Sequence, residues 1–173
     1  MNLKIKSLCE CDAPYPEIRV ERQNVHYANL ISLAYAGQDS ELTSVLLYSY
    51  GHQVMRGKSP EMLSGMLSHI AMMEMRHLEM LGELIVLLGG DPRFCGPRRM
   101  GINTAMLGYA SEPARILRGA ISGEEAAIRL YGDLIKNIND GYVRAVLKRI
   151  IMDEEQHLKI FKEMAGTSVY KGR

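Results

Sequence analysis

Residues 153–157 read Asp153-Glu154-Glu155-Gln156-His157, and a second Glu-x-x-His stands at Glu74-Met75-Arg76-His77. Both lie in segments whose apolar residues recur at steps of three and four, the spacing of one buried helix face. One stripe runs Val143, Leu147, Ile150, Glu154, His157, Phe161, Met164, and the other Leu63, Leu67, Ile70, Glu74, His77, Leu81, Leu84, Leu88. Fourteen Glu and five His placed at random would give roughly 0.4 such spacings. Two occur, and both fall on core stripes. Side chains at i and i+3 share a helix face, so each motif presents a carboxylate and an imidazole to the same interior.

Working outward, two more stripes appear. Leu30, Ala34, Gly37, Glu41, Ser44, Tyr48 and His52 predict one helix from about His26 to Arg56. Leu117, Ile121, Glu124, Ile128, Tyr131, Ile135 and Ile138 predict another, opening near Ser111-Glu112-Pro113. Ser59-Pro60-Glu61 starts the helix that carries Glu74, Gly89-Gly90-Asp91-Pro92 ends it, and Asn139-Asp140-Gly141 turns into the last helix. Strand-like alternation is nowhere sustained. Short connections within each pair force antiparallel hairpins, and the stretch from Asp91 to Ala110 is long enough to cross the bundle. The expectation is an all-α antiparallel four-helix bundle over residues 26–166, with one long crossover between helices 2 and 3. Residues 1–25, with Pro14 and Pro16, form a polar lead of unassigned structure, and residues 167–173 a tail.

Six polar residues interrupt the stripes in a coordinated way: Glu41, Glu74, His77, Glu124, Glu154 and His157. Counted from the two hairpin turns at about 1.5 Å per residue, the three in each hairpin lie within roughly 5 Å of one level. The halves also repeat, since Glu41 has Tyr48 seven residues on and Glu124 has Tyr131 seven on. Glu125 competes with Glu124, but only Glu124 falls on the stripe. A lone ionised carboxylate in an apolar interior costs several kcal/mol, and none of the four stripes contains Lys or Arg. Four carboxylates balance two divalent cations, with two neutral imidazoles completing the shells. Carboxylate and imidazole donors without thiolate favour iron or manganese over copper, and zinc is compatible with the same donors.

Composition narrows the function classes. A net charge of +1 and a pI of about 7.7 leave no electrostatic footprint for nucleic acid or an anionic membrane. Hydrophobic residues at 47% and charged residues at 24% are globular values. No run of 18 apolar residues is present, and the opening Met-Asn-Leu-Lys-Ile-Lys is not followed by the apolar stretch of a signal peptide. Three cysteines, Cys9, Cys11 and Cys95, fit a reducing cytoplasm better than a disulfide scaffold. The 12 Met suit an irregular helical core.

The pattern of Glu41-Leu42 with Tyr48, Glu74-Met75-Arg76-His77 and Asp153-Glu154-Glu155-Gln156-His157 resembles the ferritin-like carboxylate-bridged di-metal proteins over residues 26–164. Within them it is most similar to bacterioferritin and the erythrin domain of rubrerythrins, and more distantly to manganese catalases. The last are longer and do not generally use a full second Glu-x-x-His. The resemblance implies two iron or two manganese ions per chain. Glu74 and Glu154 would bridge or chelate them, His77 and His157 would cap one each, and Glu41 and Glu124 would be terminal ligands. Tyr48 and Tyr131 are placed to orient carboxylates or to fill the core. Asp153 could accept a hydrogen bond from a metal-bound histidine across the bundle; Met73 occupies the equivalent place on the other motif, so that support would be one-sided. Met75 stands where the haem-ligating methionine of bacterioferritin lies, but among 12 Met the match carries little weight and haem is not expected.

The implied activity is that of an oxidoreductase acting on hydrogen peroxide or dioxygen. The four-cysteine rubredoxin module of rubrerythrins has no counterpart, so a peroxidase would need an external electron donor, whereas catalase-like disproportionation needs none. The alternative is a ferroxidase or iron-binding protein of bacterioferritin type. Only nine residues follow Met164, too few for the fifth helix of a storage cage, so a homodimer or small homo-oligomer is expected. A third reading is a metal-free helical module docking a partner through Met62, Met66, Met72 and Met73.

Overall fold

Asp140 shows how directly the chain encodes its turns. Its carboxylate accepts the backbone N–H of Tyr142 and Val143 and so starts the final helix. The computed structural model describes residues 9–58, 61–95 and 102–167. Its regular elements are α1 (Val25–Ala36), α2 (Glu41–Met55), α3 (Glu61–Leu87), α4 (Pro113–Asn137) and α5 (Gly141–Gly166), with a 3-10 turn at Thr104–Met106. Gly89, at φ +84, ends α3, a conformation open to a residue without a Cβ. Pro113 opens α4 at a position where its missing N–H costs nothing. The expected start at Ser59-Pro60 lies outside the described residues.

The first rod differs from expectation. Residues 26–56 do not form one helix; the chain breaks at residues 37–40 and restarts. Gly37 closes α1 by bonding back to the Leu33 carbonyl, and the Ser40 side chain accepts the Thr43 N–H at 3.4 Å to cap α2. The break makes Glu41 the first residue of α2, where the positive end of the helix dipole faces its carboxylate. The rod still runs beside α3, because α1 and α2 both pack on it. The four-rod bundle therefore stands, built from five α-helices among the described residues.

Two separate hydrophobic clusters fill the bundle. One gathers Ile31, Leu81, Leu84, Leu88, Leu134, Val143 and Leu147, and the other Leu63, Leu67, Ile70, Leu117, Phe161 and Met164. The chain leaves α3 through Leu88 in the first and enters α4 through Ile116 in the second, so the crossover travels the length of the bundle. The lead segment is part of this body. Cys9 is buried with its thiol 3.8 Å from Met66 Sδ, while Tyr15, Ile18 and Val20 pack against the first cluster. The Glu21 N–H reaches Asp140 Oδ2 at 2.8 Å, and Asn24 N–H the Leu88 carbonyl at 3.0 Å. Among the described residues no helix is long and apolar enough to cross a membrane.

Candidate metal centre

The six stripe-breaking residues meet between the two hydrophobic clusters. Glu41 opens α2, Glu74 and His77 sit mid-way along α3, Glu124 on α4, and Glu154 and His157 on α5. Glu41 is 4% exposed and the other five 0–1%. Their potential ligand atoms fall into two overlapping sets, Glu41, Glu74, His77 and Glu154, and Glu74, Glu124, Glu154 and His157, each within 4.8 Å. Glu74 and Glu154 belong to both.

The imidazoles define the two halves, with ring centroids 6.2 Å apart. His77 Nδ1 lies 3.2 Å from Glu74 Oε2, 2.9 Å from Glu154 Oε1 and 3.6 Å from Glu41 Oε2. His157 Nδ1 lies 3.2 Å from Glu74 Oε1 and 3.5 Å from Glu154 Oε2. Each shared glutamate thus turns one oxygen toward each imidazole. Glu125, by contrast, pairs with Lys162 at 2.8 Å on the outside of the bundle, so Glu124 is the inward residue of that pair.

Two tyrosines tie the halves together. Tyr48 donates to Glu124 Oε1 at 2.5 Å, and Tyr131 donates to Glu41 Oε1. Both are buried. They therefore hold carboxylates as well as filling the core.

Behind the inner residues lies a further layer, of which only the Asp153–histidine contact was expected from the sequence. Asp153 Oδ2 accepts from His77 Nε2 at 3.1 Å and from the Tyr15 hydroxyl, and Oδ1 accepts the Cys11 N–H at 2.9 Å. Arg149, 4% exposed, pairs with Asp153 at 2.6 Å and donates to the carbonyls of Ala13 and Cys11 at 2.7 and 2.8 Å. Arg149 lies one position off the stripe. Its i,i+4 spacing to Asp153 is the mark that could have found it, whereas Tyr15 and Cys11 carry no periodic mark at all.

Charges in this layer are set by burial and by one another. Burial, with Glu154 and Glu74 nearby, pushes the Glu41 and Glu124 carboxyls well above their ordinary range. Burial also pushes Glu74 and Glu154 up, but the two histidines outweigh it and leave both below that range, Glu154 well below. Burial alone would lower the imidazoles. Asp153 and the glutamates instead raise His77 well above its ordinary value, and Glu74 and Glu154 raise His157 to about 10. Without cations, burial favours the neutral forms of Glu41 and Glu124, while the imidazoles and the two shared carboxylates favour opposite charges side by side.

That arrangement leaves buried polar atoms without hydrogen bonds. Among the described residues, Glu74 Oε1, Glu154 Oε1 and both ring nitrogens of His157 have no partner at bonding geometry, although they crowd within a few ångströms of one another. Buried polar atoms are rarely left so. Carboxylate oxygens and imidazole nitrogens converging from several helices fit a shared cation, and this oxygen and imidazole set suits a divalent metal.

Other residues singled out from the sequence lie elsewhere. Met75 is 51% exposed on the outer face of α3, whereas Met66, offered above as part of a docking surface, is 5% exposed in the core. Cys9, Cys11 and Cys95 are free thiols.

Residues 37–168 match the ferritin-like domain family, and the chain belongs to it. A probable manganese catalase from Clostridium acetobutylicum is 24% identical over 177 residues, covering 85% of this chain and 73% of that protein. The crystal structure of wild-type KatB, a manganese catalase from Anabaena, superposes with a TM-score of 0.81 at 22% identity, over 95% of this chain and 84% of that one. BfrA, a bacterioferritin from Mycobacterium tuberculosis, superposes at 0.70 with 20% identity, over 83% and 86%. At these identities the structural likenesses establish the fold. The fuller overlay is with the manganese catalase, which the sequence motifs had suggested only as a more distant likeness.

Proposed function

We propose that the chain holds two divalent ions, manganese or iron, and disproportionates hydrogen peroxide to water and dioxygen. The observation that carries this reading is the sharing of Glu74 and Glu154, each with one oxygen toward His77 and one toward His157. In this reading Glu74 and Glu154 would serve both ions, with Glu41 and His77 completing one set and Glu124 and His157 the other. When bound, such a pair supplies the two-electron redox change that the reaction requires.

The chain's own residues do the rest. Tyr131 and Tyr48 fix the terminal carboxylates, so the donor set is oriented before anything binds. The two hydrophobic clusters close the layer above and below and limit water around it. A cavity of about 10 Å³, lined by Ala34, Ser40, Ser44 and Ala127 on one side and by Glu41, Tyr131 and Glu154 on the other, touches the centre. It shares Asp39, Ser40, Ser44 and Ala127 with a cavity of about 440 Å³ between α2 and α4. A space of roughly 10–15 Å³ admits one water, so the inner cavity offers room for no more than one very small molecule beside the carboxylates.

The test is oxygen evolution from peroxide by protein loaded with Mn(II) or Fe(II), with no reductant added. Steady release of one O2 per two peroxides is expected. Peroxide consumption only when an electron donor is supplied would replace this reading with a peroxidase, and oxidation of Fe(II) without peroxide turnover would replace it with the ferroxidase.

A further inference from the structure

Resting on the metal-centre reading above, we propose that residues 11–15 brace only one half of the centre, so that the His77 position takes its divalent ion before, and more tightly than, the His157 position. The two halves look equivalent in the six inner residues, but one shell further out they are not. His77 Nε2 meets Asp153 Oδ2 at 3.1 Å. That carboxylate is held in turn by the Tyr15 hydroxyl, by the Cys11 N–H at 2.9 Å and by Arg149 at 2.6 Å. Arg149 is itself fixed by the carbonyls of Ala13 and Cys11. The Tyr15 ring lies between the Arg76 and Arg149 guanidiniums, 3.9 and 4.0 Å from its centre. Arg76 also reaches Glu10 at 2.9 Å. The lead segment is therefore clamped onto Asp153 from several sides.

The consequence for His77 is a fixed ring and a fixed tautomer. An acceptor-only carboxylate at Nε2 keeps the proton there and leaves the Nδ1 lone pair for the ion, aimed at Glu41, Glu74 and Glu154. His157 has no such partner among the described residues, where its Nε2 makes no hydrogen bond. The residue before Glu74 on α3, matching Asp153 before Glu154 on α5, is Met73, whose side chain offers no carboxylate. The His157 ring must choose its tautomer and orientation when the ion arrives. Partners of this kind change metal affinity by roughly 10–100-fold, so a gap of that order is expected between the two positions. Tyr15 and Asp153 are positioning residues in this scheme, and they touch no ion.

The experiment is a stepwise titration of the metal-stripped full chain with Mn(II) alone. Free ion is read by electron paramagnetic resonance and bound ions are counted by native mass spectrometry. The wild-type chain should load one ion and then a second, with binding constants about 10–100-fold apart. Tyr15→Phe keeps Asp153 and Arg149 paired and should lower the first constant while leaving the second unchanged. Asp153→Asn should narrow the gap further, with helix content checked by circular dichroism. Loss of packing alone would weaken both positions together. Two ions of equal affinity in the wild type, or equal loss at both positions in Tyr15→Phe, would overturn the asymmetry while leaving the centre intact. Failure of the wild type to take up any ion would overturn both.

Discussion

Tyr48 donates its hydroxyl hydrogen bond to Glu124 on the opposite hairpin, not to Glu41, the glutamate seven residues earlier in its own stretch of chain. Tyr131 returns the exchange by bonding Glu41. The repeat seen along the sequence is thus swapped in space, and each half of the bundle orients the outer carboxylate of the other. Tyr48→Phe should leave Glu124 short of a donor and weaken the folded chain by about 1–3 kcal/mol, the cost of an unpaired buried acceptor. Tyr131→Phe should do the same through Glu41. Urea unfolding of the metal-stripped variants measures both.

Shared and unshared carboxylates should fail differently. Glu74→Ala or Glu154→Ala removes an oxygen from both halves and should leave far fewer than two ions per chain. Glu41→Ala or Glu124→Ala touches one half and should leave about one. Metal content by plasma mass spectrometry separates the two outcomes, and unchanged content in Glu74→Ala and Glu154→Ala would contradict the ligand assignment.

Stability and metal binding should respond to pH in opposite directions. His157 has its proton affinity raised by folding, to about 10 against an ordinary 6.5. The folded, metal-stripped chain therefore binds that proton more tightly than the unfolded chain does. The stabilisation is complete below 6.5 and is lost as pH rises toward 10. Ion loading must expel that proton from His157, so affinity should climb over the same range. Thermal melts with chelator and with excess Mn(II), at a series of pH values, should show the two trends diverging.

Ser44 and Ala127 are among the four residues that line both the outer cavity and the inner one. Ala127→Leu should narrow that passage without touching a ligand. Peroxide kcat/KM should fall by roughly tenfold, equivalent to ~1.4 kcal/mol of added barrier, with metal content unchanged. Equal kcat/KM in the variant would place the route elsewhere.

The sequence carried the inner centre well, because a helix stripe turns a spacing of three or seven into a shared face. Glu41, Glu74, His77, Glu124, Glu154 and His157 were legible for that reason, and Glu124 stood out from Glu125 by the same rule. The break at residues 37–40 was hidden because Ala34, Gly37 and Glu41 keep helical spacing straight across it. Gly37 and Ser40, an ender followed by a cap, were the local marks of two helices. The Asp153 clamp could be read only in part. Asp153 precedes Glu154 in the motif, but Tyr15 and Cys11 reach it from 138 and 142 positions away, and no local periodicity encodes such a contact.

The polar layer also has a mechanical consequence, since it parts the oily interior into two blocks that have little to grip each other with at the waist. Divalent ions seated there would rivet one block to the other, so stripping them should loosen the girth of the molecule before either end melts. Amide exchange around Ile70 to Leu81 and Ile150 to Phe161 should quicken first on chelation, while the tips near Leu88 and Leu63 stay slow.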